Sequence, residues 1–90
     1  MKSKEEIVLL ELYNQKDTDQ RLWLEPWCEE LELPAGASWK LTAVALGPLA
    51  STMVTIEFQE DQVVIYGITN AVMRLYAEDE LVWECFKPLT

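Results

Sequence analysis

The chain has 90 residues, half of them apolar, with 16 acids against 7 bases, no histidine and a net charge of −9. One domain over residues 1–90 is expected, and a domain of this size buries roughly 60–65% of the surface that its unfolded chain exposes, which leaves little room for a large internal substrate cavity. The acidic balance argues against nucleic acid and anionic membranes as partners, because both are bound through Lys and Arg.

The first apolar run, Ile7 to Tyr13, follows a charged start, MKSKEEIVLL, that lacks a small-residue cleavage site. Residues 1–5 are expected to form a flexible N-terminus, and the chain is expected to reside in the cytoplasm with Cys28 and Cys85 as free thiols. Ile7 to Tyr13 is rich in strand formers and is closed by the polar stretch Asn14 to Gln20. Arg21 to Glu25 alternates, and Pro26 ends or bends it because proline cannot donate to a ladder. Glu29 to Leu33 alternates again, with Leu31 and Leu33 inward and Glu30 and Glu32 outward. Pro34 to Ala37 reads as a turn. Ser38 to Leu46 is the next strand, closed by Gly47 and Pro48.

The second half keeps the same period of two. Thr52 to Gln59 sets Val54, Ile56 and Phe58 on one face. Gln62 to Ile68 is nearly all apolar, so it is expected as a central strand covered on both faces. Ala71 to Ala77 and Leu81 to Phe86 follow, joined by the short polar links Thr69-Asn70 and Glu78-Asp79. Strands recurring about every ten residues with tight polar links predict an all-β domain, an antiparallel meander forming a small sandwich or barrel. Gly67, after Tyr66 and inside a strand, predicts a bulge or an aromatic ring packed over the backbone.

The run LWLEPWCEELELPAGASWKL, with the later stretch TIEFQEDQVVIYGITNAVMRLYAEDELV, resembles a group of short bacterial all-β proteins with a Leu-Glu-Pro-Trp motif. In that pattern the motif is followed by Gly-Glu, an acidic-apolar alternation, Leu-Pro and a glycine turn. The likeness covers most of residues 22–82 and implies a small all-β domain; it implies no function. Cys28 stands where the pattern has glycine.

The residue types limit the chemistry. Without histidine there is no Ser-His or Cys-His nucleophile. Cys28 lies beside Glu29 and Glu30, whose charge raises a thiol pKa rather than lowering it. Acid pairs such as Glu60-Asp61 sit at turns, where water keeps them ordinary, and Asp17-Thr18-Asp19-Gln20 has only the first two members of a calcium loop and no glycine. No cofactor and no metal is called for. Arg74 is expected to pair with Glu57 or Glu84 across neighbouring strands.

Four tryptophans are many for this length. Trp39 and Trp83 alternate with apolar neighbours and read as core. Trp23 and Trp27, in LWLEPWCEE, leave two arrangements open. They are plugs closing the end of a sandwich, or they are aromatic anchors ringed by Glu25, Glu29, Glu30 and Glu32. On the second arrangement Trp23, Glu25, Trp27, Glu29 and Glu30 form a contact for a protein partner with a basic surface. The expected function is therefore a non-catalytic acidic protein-binding module or small accessory subunit. Alternatives are an acidic inhibitor, toxin-neutralising or mimicking a nucleic acid, that blocks a basic site, and, more remotely, a carboxylate-dependent hydrolase. Unpaired strand edges also allow a homo-oligomer.

Overall fold

The computed structural model describes residues 5–89. Of the segment expected as a flexible N-terminus, all but Glu5 lies outside the described residues. Eight strands follow in order: β1 (Glu6–Tyr13), β2 (Gln20–Glu25), β3 (Glu29–Leu33), β4 (Ser38–Ala45), β5 (Thr55–Phe58), β6 (Val63–Tyr66), β7 (Ala71–Ala77) and β8 (Glu80–Glu84). They form two four-stranded sheets, ordered β1-β4-β7-β8 and β3-β2-β6-β5. The architecture is a small sandwich with open edges and not a closed barrel. No helix among the described residues is long and apolar enough to cross a membrane.

Alternation decides which side chains enter the sandwich. Leu22, Leu24 and Ile65 from one sheet meet Leu41, Met73 and Leu75 from the other, each at most 1% exposed. The run Ile7-Val8-Leu9-Leu10 breaks simple alternation, and the register explains how it is accommodated. Ile7 pairs with Ala43 and Leu10 with Leu41, so an irregularity between Val8 and Leu10 resets the phase. Ile7, Leu10 and Leu12 therefore all pack on the core, while Val8 and Glu11 stay exposed.

The last four strands are not one continuous meander. β5 and β6 pair as a hairpin in one sheet, and β7 and β8 pair in the other. The link Gly67–Asn70 carries the chain between the sheets, with Ile68 buried and Asn70 in the left-handed region at φ 64°. One pair, β2 with β6, is parallel. β6 thus lies between β2 and β5. Its outward Val64 is only 3% exposed, but Tyr66 on the same face is 39% exposed, so the cover expected on both faces holds at Val64 and not along the whole strand.

Arg74 lies on the outer face of the first sheet. Its Nε donates to Glu84 at 2.6 Å and its Nη1 to Glu6 at 3.0 Å. Glu57, the other partner expected for it, belongs to the opposite sheet. Glu6 also accepts from the Thr42 and Tyr76 hydroxyls. Partial burial pushes the Glu6 carboxyl up, but those hydrogen bonds and the Arg74 charge outweigh it, so its pKa lies below the usual carboxylate value. A depressed folded-state pKa contributes stability above the unfolded value and loses it as pH falls through the folded one. Glu6→Gln is therefore expected to be less stable than the parent at neutral pH. The gap in urea midpoint should close as pH falls through the carboxylate range, about 4.

Candidate functional site

The segment Leu22 to Glu30 divides between two environments. Leu22 and Leu24 point into the core, so Trp23 and Glu25 face outward from β2. The Glu25–Pro26 peptide is cis, and after it the chain turns back toward the sandwich. Trp27 enters the core and is 8% exposed. Its ring meets that of Trp83 edge to face, with centroids 5.4 Å apart, and its Nε1 donates to the Lys87 carbonyl at 2.6 Å. The ring lies against Gly67, whose amide donates to the Glu25 carbonyl at 2.9 Å. Gly67 is thus a glycine under an aromatic ring, one of the two meanings read from the sequence. Cys28 then adopts φ 57°, the left-handed conformation that glycine takes without a Cβ penalty. Glu29 sits at the end of the core, where its carboxylate accepts from Trp83 Nε1 at 3.0 Å.

Of the five nominated residues, Trp23, Glu25 and Glu30 share the outer face of the β3-β2-β6-β5 sheet. Trp27 is a core plug and not a presented anchor, because its ring and its N–H are both engaged inside the sandwich. Glu29 holds the second indole of that plug. Sequence reasoning missed two neighbours, Tyr66 and Glu57. The parallel pairing sets Trp23 beside Val64 and Glu25 beside Tyr66, and the β5–β6 pairing sets Glu57 beside Val64. A long-range parallel contact leaves no local signal in the chain, so nothing in the sequence pointed to these two.

The result is a face of aromatic rings and carboxylates. Trp23 Nε1 donates to Glu25 Oε1 at 2.8 Å, and the Tyr66 hydroxyl donates to Glu57 Oε1 at 2.8 Å. The Glu57 bond holds the phenolic proton and raises the Tyr66 pKa. Glu30 and Glu32 lie on the same face, across from Trp23 and Arg21. Arg21 is the basic residue there, and it is paired with Glu30 at 2.8 Å. The nearby Cys28 thiol donates to the Pro26 carbonyl at 3.8 Å, and the Glu25 carboxylate beside it pushes its pKa up, so it stays protonated and a poor nucleophile. Cys85 is buried, burial pushes its pKa up, and neither cysteine forms a disulfide. Among the described residues no three His, Cys, Asp or Glu side chains cluster as metal ligands. The face offers flat π surfaces and hydrogen-bond acceptors.

A second feature lies at the opposite end of the sandwich from Trp27. The first sheet does not cover the β5 side there, and an open cleft of about 460 Å³ runs between Leu12 and Tyr13 on one wall and Ile56, Phe58 and Val63 on the other. Leu22 and Leu33 form its floor, and Lys16 and Glu60 lie on its rim. No local pattern announces it, since its lining comes from five separate segments. No protein-family model, curated protein or solved structure matches the chain.

Proposed function

We propose that the chain is a non-catalytic protein-binding module that docks a basic segment of a partner on the outer face of the β3-β2-β6-β5 sheet. The observation that carries this reading is the pairing of each aromatic donor with a carboxylate of the same face, Trp23 with Glu25 and Tyr66 with Glu57. Those bonds orient the rings and leave the second oxygen of each carboxylate for an incoming guanidinium or ammonium group. A cation over an exposed ring contributes about 0.5–1 kcal/mol, and an exposed ion pair a similar amount. One cation is therefore too little for useful affinity, and the partner should present several along an extended segment. The two free thiols support a reducing compartment such as the cytoplasm.

Calorimetric titration with an arginine-rich peptide at low salt tests the assignment. Binding is expected to weaken by about fivefold or more in Trp23→Ala and in Glu57→Lys, and to fall as salt is added. If both variants bind like the parent, the face is not the site. Loss in Glu57→Lys alone, with a steep salt dependence, would favour an acidic inhibitor that works by charge and not by its rings.

A further inference from the structure

The open end of the sandwich carries an apolar plug and an apolar socket side by side. Phe58, at the end of β5, lines the cleft and is nevertheless 81% exposed. Tyr13, on the facing wall, is 62% exposed. Lone surface apolar residues are ordinary, but two exposed rings flanking an apolar cleft form a continuous patch of the kind that marks a contact site. The cleft volume lies within the range of sites that hold sizeable apolar groups.

We propose that this end binds a second copy of the chain, with Phe58 of each protomer seated in the cleft of its partner. Plug and socket share one lip, so a twofold contact inserts both rings at once, which is the self-complementarity that an isologous interface requires. A net charge of −9 opposes the approach of two copies, and the rim answers that locally. Lys16 and Glu60 both lie on it, and neither has an ionic partner among the described residues. Across the twofold, Lys16 of one protomer meets Glu60 of the other, twice. The contact is independent of the sheet face proposed above for a basic partner.

Light scattering after size exclusion, from low micromolar to near-millimolar chain, reads the association. The mass is expected to rise from one chain to two and no further. Phe58→Asp, at a site exposed enough to leave folding intact, should weaken dimerisation by at least about tenfold. Lys16→Glu should weaken it too, and the double exchange Lys16→Glu with Glu60→Lys should restore it. Phe86→Ser, 72% exposed and away from the cleft, should change nothing. A chain that stays monomeric throughout, including one that takes up an apolar dye at the cleft, overturns the proposal. So does a dimer that Phe58→Asp leaves intact.

Discussion

Gly67→Ala is expected to lower stability by about 3 kcal/mol, the upper range for forcing extra atoms into a filled core. A Cβ at this position would lie 2.2 Å from Trp27 Cη2 and 2.8 Å from Cζ3. The indole cannot simply move aside. Its N–H is bonded to the Lys87 carbonyl, and its ring is packed against Trp83. Moving it would break the bond and open the end of the core. Trp27→Leu alone should also be costly, by about 3 kcal/mol, as for other truncations of buried aromatics. The double variant should cost less than the sum, because the smaller side chain relieves the clash, with a coupling of about 1 kcal/mol or more. Urea denaturation of the four proteins measures the cycle. A Gly67→Ala chain as stable as its parent would contradict the packing of Trp27 over this backbone.

Asn14→Ala is expected to be of similar severity, near 3 kcal/mol, for a different reason. Asn14 is 4% exposed within a polar loop. Its amide donates to the carbonyls of Thr18, Leu33 and Pro34, and its Oδ1 accepts from the Lys16 amide. Its backbone adds two bonds, to Ala37 and from Gly36. One side chain thus ties the β1–β2 loop to the β3–β4 turn. Alanine leaves carbonyls without a donor in a site that water reaches poorly. Asn14→Asp should be nearly as damaging, since it turns a carboxylate toward three carbonyl oxygens. Chemical denaturation, with amide exchange at Lys16 and Gly36, reads both effects. If Asn14→Ala unfolds at the parent midpoint, the hub is not a stabilising feature.

The two side chains show where the sequence was legible. Strand positions followed from the period of two, and all eight predicted segments contain the observed strands to within a few residues. Short hairpins were legible for the same reason, and Glu84 was one of the two partners expected for Arg74, Glu57 being the other. The glycine after Tyr66 announced a close approach, although not which ring makes it. What alternation does not encode is the sheet to which each hairpin belongs. That choice depends on long-range burial, and it decided the parallel β2–β6 pair, the split of the last four strands and the neighbours Tyr66 and Glu57. Trp27 was ambiguous because a bend after proline frees a side chain from the period, and Trp23 because the apolar Leu22 and Leu24 beside it take the opposite face. Asn14 was hidden by its own polarity, since a loop asparagine is ordinarily solvated.

Within LWLEPWCEE, Trp27 closes the core and Trp23 faces outward, on the face proposed for a basic partner. Nuclear magnetic resonance of the nitrogen-15-labelled protein, following the indole N–H signals during titration with an arginine-rich peptide, tests it directly. The Trp23 signal should shift with added peptide, while those of Trp27 and Trp83 stay in place and exchange slowly with solvent. A shifting, rapidly exchanging Trp27 signal beside an unmoved Trp23 would contradict it.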